Sequence, residues 1–373
     1  MYCLLFVGYT KGRDKMKLFD IVIEESKLHP NFKSIMDPIR SNERALLLEW
    51  ASGFIDRDNK LIKEFQTTFN STFWEIYLYR VFVELGLEID WQHAAPDFSL
   101  SNKNCSFVVE ATTANAANGK PCEWEKTFSM EELAELKRFS KINHESIIRL
   151  SNALISKERK YAKSYSKQAH VIGKPFVLAI APFEQPYFNH QYTRPINAVL
   201  YDIYVDEDAY LDNPKKFPYG PPNVSLGFVE KDNGAEIALG MFTTPEMENV
   251  SAVIFSCTAT WGKLSAMSHT ELANTKVLSV WSKNDDGIPV KRICSNYEHN
   301  ETIFDGLQVF HNPFAKTPLP KEVFNKKGIV QSTFDIEGHS LVREGLDGAL
   351  YFRQTITIPK KPYNKAFKAD SQR

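Results

Sequence analysis

The chain has 373 residues, 43% of them hydrophobic and 24% charged, an ordinary globular composition with length for one large elaborated domain or two smaller ones. Its 45 Lys and Arg against 46 Asp and Glu leave a formal charge of -1, which excludes a global basic field while remaining compatible with a local basic groove. The five cysteines, Cys3, Cys105, Cys122, Cys257 and Cys294, are scattered and nowhere in CxxC spacing, so neither a disulfide framework nor a zinc knuckle is written and a reducing cytoplasm is the expected setting.

The apolar run at 3–9 is too short for a signal-peptide core, and no stretch approaches a membrane span. Met16 opens a second candidate start, so residues 1–15 read equally as an upstream extension. ERALLLEWASGF (43–54) reads as a helix, broken by the polar DRDN at 56–59, after which a helical pattern runs from 60 to about 85. Within it FWEIYLYRVFVEL (73–85) is apolar on every face, the pattern of a helix buried nearly all round, and leaves Glu75 in need of a partner.

Gly86 ends that helix, and three strand-like runs follow, LEIDWQ (87–92), PDFSL (96–100) and CSFVVEATT (105–113), the last two separated by the turn-forming SNKN. Residues 114–143 read as a loop with a short acidic helix near SMEELAEL (129–136). A long helix from about 144 to 165 and the buried-strand run PFVLAIA (175–181) come next. Beyond Pro182 the chain is irregular to about 222, and the later runs SLGFVE, EIALGMFTT, VSAVIFSCTA, KVLSVWS and GLQVFHN either extend the first sheet or build a second one. Residues 359–373 are polar and basic, the composition of a loosely held tail. The expected division is an N-terminal helical segment (1–59), a core (60–182), a mixed, β-rich C-terminal elaboration (183–358) and the tail (359–373), in an α/β fold.

If the hairpin loop centres on Lys103 and Asn104, opposed residues sum to 207 and Asp97 faces Glu110, with Cβ atoms ~5 Å apart. Two bare carboxylates so placed repel one another, and a shared cation is the natural resolution. Strand periodicity sets Thr112 on the same face. On the long helix Ile147, Leu150, Leu154, Tyr161 and Tyr165 form an apolar stripe, and Lys157 falls on it, where a lysine must snorkel or meet an anion. Arg159 and Lys160 lie alongside and suit phosphate contact.

The pattern PD at 96–97, Glu110 thirteen residues on and Thr112 two further resembles the PD-(D/E)XK motif of the restriction-endonuclease-like nucleases, over roughly residues 60–182. The order helix, three-strand meander, helix, strand is similar to that superfamily's core. The resemblance implies a metal-dependent endonuclease hydrolysing phosphodiester bonds of nucleic acid, DNA sooner than RNA, with Asp97, Glu110 and the auxiliary acid Glu75 binding Mg2+, for which Mn2+ can substitute. Restriction, phage defence, repair or mobile-element biology are the settings it implies, with no membrane and a homodimer left open. The departure is Thr112 where the motif has lysine. Lys157 is the replacement the resemblance suggests, since in some members the basic residue has migrated to that helix.

Each residue also has a plainer reading: Asp97 in a turn, Glu110 as an edge-strand charge, Glu75 as a core acid paired with Arg80 or a backbone amide, Lys157 as a snorkelling surface residue. The competing functions are a degenerate nuclease fold that binds nucleic acid or protein without cutting, and a hydrolase of some other phosphate ester. WGKLS (261–265) lacks the first glycine and the hydroxyl of a phosphate loop. HNPFAKTPLP (311–320) is a proline-stiffened loop whose His311 and Asn312 are weaker candidates for the same cleft.

Overall fold

The computed structural model describes residues 16–117, 119–126 and 138–367. The anticipated acidic helix at 129–136 and the N-terminal run at 3–9 lie outside them. Helices α1 (Pro30–Ile35), α2 (Ser41–Trp50), α3 (Leu61–Thr67) and α4 (Phe69–Glu84) lead into strands β1 (Glu88–Asp90), β2 (Phe98–Ser101) and β3 (Ser106–Thr113). Helix α5 (Phe139–Lys163) and strand β4 (Phe176–Ala181) follow, then α6 (Arg194–Tyr201) and β5 (Ala252–Phe255). After α7 (Trp261–Met267) come β6 (Ala273–Ser282), β7 (Pro289–Ser295), β8 (Leu307–His311), β9 (Ile329–Asp335), β10 (Ser340–Glu344) and β11 (Leu350–Pro359).

The protein is thus mixed α/β, with helices flanking an eight-stranded sheet in the order β1-β2-β3-β4-β5-β8-β9-β10. The pairs β3–β4 and β4–β5 are parallel, and the helix-bearing connections between them supply the crossovers that parallel pairing needs. Strands β4 and β5 are buried at every position, which explains why FVLAIA and AVIF show no alternation. The runs after Pro182 divide three ways: 252–255 and 307–311 extend the first sheet, 273–282 is the middle of a second, three-stranded sheet, β7-β6-β11, and 228–230 and 236–238 do neither but pair with each other as a separate hairpin. One apolar core runs from Leu18 through Ile329. No helix among the described residues is long and apolar enough to cross a membrane, and the described cysteines are free.

Helix α4 buries Phe73, Trp74, Ile76, Tyr77, Leu78, Val81 and Phe82, the all-round burial its sequence predicts. Its polar ring atoms are satisfied across the core, Trp74 Nε1 donating to the Ala179 carbonyl (3.1 Å) and the Tyr77 hydroxyl to that of Ile303 (2.8 Å). The helix expected to be continuous from 60 is interrupted at Thr68, where the Thr67 and Thr68 hydroxyls donate to the carbonyls of Lys63 and Glu64 (3.0 Å each). Such side chains compete with the helical ladder for the last carbonyls. At its far end Gly86, at φ +74°, lets the chain turn so that Leu87 N bonds the Phe82 carbonyl. Part of the expected loose tail is tied down instead: the Tyr363 hydroxyl (3.2 Å) and Ala366 N (3.3 Å) both donate to Asp37.

Between the two sheets lies a buried ionic cluster. The Glu301 carboxylate, fully enclosed, receives Lys263 Nζ (2.7 Å), His299 Nε2 (2.9 Å) and Arg353 Nε (2.9 Å). Lys263 also donates to the carbonyls of Thr302 (2.8 Å) and Asp305 (2.9 Å). The WGKLS lysine is therefore a structural bolt with every donor used. Burial alone would raise the Glu301 carboxyl, but Arg353 and Lys263 outweigh it and hold it near pH 2, below its ordinary 4.5.

A carboxyl whose pKa is lowered by folding stabilises the protein above its unfolded pKa and ceases to as pH falls through the folded value. The Glu301 contribution should be complete at neutral pH and disappear between about pH 4.5 and 2. Glu301→Gln leaves Lys263 and Arg353 uncompensated and should cost ~3–5 kcal/mol at pH 7, measured by urea unfolding. The variant's deficit should shrink as the pH is lowered through that window; a pH-independent deficit would show that the charge is not what stabilises.

Candidate functional site

The β2–β3 hairpin pairs Phe98 with Val109 and Ser99 with Val108, the register expected from a turn at 103–104. Asn102 Oδ1 fixes that turn by accepting from Asn104 N and Cys105 N, each at 2.9 Å. Continued by one residue, the register sets Asp97 against Glu110. Asp97 sits just ahead of β2, partly exposed, and its Oδ2 accepts from Ala111 N (2.7 Å). Its segment is clamped from two sides. Arg57 donates to the Asp97 carbonyl (3.0 Å) and also to that of His93. His170, its ring stacked on His93 at 3.6 Å, bonds the Ala95 carbonyl (3.0 Å). Nothing in the sequence marked this clamp, because Arg57 and His170 are far from the motif and act on backbone carbonyls.

Glu110 lies within the sheet, paired through β3 with Leu178 of β4, and is 2% exposed. Its Oε1 receives two ammonium groups from successive turns of α5, Lys157 Nζ at 2.8 Å and Lys160 Nζ at 3.0 Å. Its Oε2 is buried with no hydrogen-bond partner among the described residues. Lys157, singled out for its phase on the stripe, thus reaches the motif acid. Lys160 was expected to face phosphate; it turns onto Glu110 because one helical turn carries it over the same strand. Burial works against its charge, but Tyr165 and Glu110 prevail and raise its pKa. Arg159 is exposed and has no side-chain partner among the described residues.

Glu75 makes no hydrogen bond or ion pair among the described residues. Arg80, its plainer partner, binds Glu84 and lies 3.8 Å from Glu49. Burial, then the charges of Asp97 and Glu64, push the Glu75 carboxyl up to about 8, with Glu110 adding a smaller rise. Asp97 is pushed up to about 6 by burial and by Glu110. The three acids therefore feel one another, although among the described residues no three His, Cys, Asp or Glu side chains converge closely enough to form a ready cation cage. Glu75, Ala111 and Thr112 line a cleft of about 750 Å³ whose far wall includes Lys120 and Trp124. The Thr112 hydroxyl has only a long contact to the Thr113 carbonyl (3.5 Å), which leaves it able to bind water in that cleft.

His311 and Asn312 do not join this site. His311 is buried against Gln331 (2.8 Å), and Asn312 donates to the carbonyls of Met247 and Val250, so their role is to hold the strand ends.

Because folding raises the Glu75 carboxyl, its protonated form is favoured and stability declines as pH rises from about 4.5 to 8. Glu75→Gln keeps the volume and removes the titration. Its melting temperature should match wild type at pH 5 and exceed it by at least about 2 °C at pH 8.5, a shift that corresponds to roughly 1.5 kcal/mol in a chain of this length. Equal pH profiles for the two proteins would place the Glu75 carboxyl in solvent. In comparisons with known proteins, no family model, curated protein or solved structure matches the chain.

Proposed function

We propose that the protein is a divalent-metal-dependent nuclease with a restriction-endonuclease-like core, cleaving phosphodiester bonds of nucleic acid. The observation that carries this reading is Glu110: a carboxylate inside a sheet, opposed to a second acid, with one oxygen held by two lysines and the other oxygen buried and unpartnered. A buried polar atom without a partner costs roughly 1–3 kcal/mol, and a cation between Glu110 and Asp97 would relieve it together with the repulsion that raises Asp97. The donor set fits Mg2+ or Mn2+, which take one or two carboxylates and complete their shell with water and phosphate oxygens.

Asp97 and Glu110 would hold the ion, and its charge would favour ionisation of Glu75, which burial otherwise keeps protonated. When bound, the ion supplies positive charge to the scissile phosphate and acidifies the attacking water. The chain's own groups do the rest. Thr112 orients water from the cleft wall. Lys157 and Lys160, anchored on Glu110 Oε1, place two positive charges beside the reacting phosphate, where the motif lysine would have placed one. Binding a cation requires Asp97 ionised, so metal affinity should fall about tenfold per pH unit below its pKa of about 6.

A second reading is favoured by the same lysines. Two ammonium groups already neutralise Glu110, so the site is stable without an ion and suits a nuclease fold that binds without cutting. Cleavage of plasmid, single-stranded DNA and RNA in Mg2+ and Mn2+ separates the two. The nuclease reading expects cutting that Asp97→Ala and Glu110→Ala abolish and that Lys157→Met slows by about a hundredfold, with Lys163→Met, exposed at the end of α5 and off the stripe, nearly silent. Nucleic-acid binding with no metal-dependent cutting would support the second reading; cutting by Asp97→Ala at the wild-type rate would remove the site.

A further inference from the structure

A second cleft, of about 380 Å³, adjoins the first: Trp124 lines both. Its walls carry Trp261 as well as Trp124, with the side-chain amides of Asn189 and Gln354, which make no hydrogen bond among the described residues. One face of the Trp261 ring is covered by the Arg40 guanidinium at 4.5 Å, itself fixed by Glu43 (3.1 Å) and Ser265 (3.0 Å).

At one end of this cleft stands Arg353, 5% exposed. Its Nε is committed to Glu301 and its Nη2 to the Thr258 carbonyl. Its Nη1 has no partner among the described residues. Gly262 explains how Nη1 is seated: a Cβ there would lie 2.9 Å from Nη1, 3.3 Å from Thr260 Oγ1 and 3.6 Å from Thr355 Oγ1. The guanidinium nitrogen and the two hydroxyls therefore crowd over the Gly262 backbone, where any side chain would collide with them, and both oxygens of Glu301 are already engaged by other donors. Indole faces, free amides and a cationic, hydroxyl-bearing end are the complement of a base, its edge and its phosphate. The volume lies at the small end of ligand pockets, ~300–1,000 Å³, and suits one nucleotide, not a base pair.

We propose that this second cleft takes one unpaired nucleotide of the strand whose phosphodiester lies at Asp97 and Glu110, so that the substrate is single-stranded or locally unpaired nucleic acid. The inference rests on the nuclease reading for the identity of the strand, but the cleft can be tested without cutting. A base held beside Trp124 and Trp261 has left its stack and its partner, which costs least where the strand is already single.

The test is binding of fluorescein-labelled eight-nucleotide DNA and RNA, single-stranded and blunt duplex, to the full chain in EDTA, followed by cleavage of the same strands in Mg2+ and Mn2+. The single strands should bind at least about tenfold tighter than the duplex and quench tryptophan emission. Trp124→Ala should weaken single-strand binding roughly tenfold, and Gln354→Ala and Thr355→Val should weaken it severalfold. Gln354 is exposed, so the Gln354→Ala protein keeps its melting temperature and separates loss of contact from loss of fold. Whether DNA or RNA binds tighter assigns the sugar. Single-strand binding with these sensitivities but no cleavage would sustain the cleft and overturn the nuclease reading. Duplex cleavage left unchanged by all three substitutions would overturn the cleft and leave the nuclease reading standing.

Discussion

The Glu301 carboxylate, wholly buried, is the charge around which the two sheets are joined. It gathers Lys263 from α7, Arg353 from β11 and His299 from the segment before β8, joining the second sheet to the first. Lys263 in turn holds the 302–305 turn by its carbonyls, and the next carbonyl, that of Ile303, receives the Tyr77 hydroxyl. Tyr77 and Glu75 share α4, so the position of Glu75 is referred through one turn to a charge cluster across the core. Removing charges from water is expensive, and the cluster is stable only because its donors and acceptors are so nearly all matched. One donor is not: Arg353 Nη1, the atom that faces the second cleft.

Around the motif acids the electrostatics run the opposite way. Glu75 and Asp97 are both pushed upward by burial and by neighbouring negative charge, while Lys157 and Lys160 supply the close cations on Glu110 among the described residues. Acids set apart in protonation behaviour by their surroundings, beside a cleft, are the usual mark of a chemical site, though structural networks shift pKa values too. The Glu301 cluster illustrates that second case in the same chain. What separates them is satisfaction: the cluster leaves no carboxylate oxygen free, and the motif site leaves Glu110 Oε2.

Much of this was legible in the sequence wherever a periodicity fixed the answer. The 207 sum placed Asp97 across from Glu110 because a two-strand hairpin has one degree of freedom, its turn. The apolar composition of 73–85 announced a buried helix, and the stripe on α5 pointed Lys157 inward. The break at Thr68 was not legible, because hydroxyl-to-carbonyl bonds compete only weakly with propensity. Nor was the Arg57 and His170 clamp, since long-range bonds to backbone carbonyls leave no pattern. The contact of Lys160 with Glu110 was not legible either, because it lies off the apolar stripe and only a lysine's long stem lets it reach the same strand as Lys157. Lys263 looked like a failed phosphate loop; its purpose depends on Glu301 and Arg353, which no local spacing connects.

The Asn102 turn lines none of the cleft, yet it sets the register that brings Asp97 opposite Glu110. Side chains alternate faces along a strand, so adding or removing one residue between 102 and 105 would bring Pro96 or Phe98 into Asp97's place while leaving every core contact of β3 available. The chemistry of the site is therefore guarded by the length of a surface loop, a quantity that substitution can never alter and that a single inserted codon can.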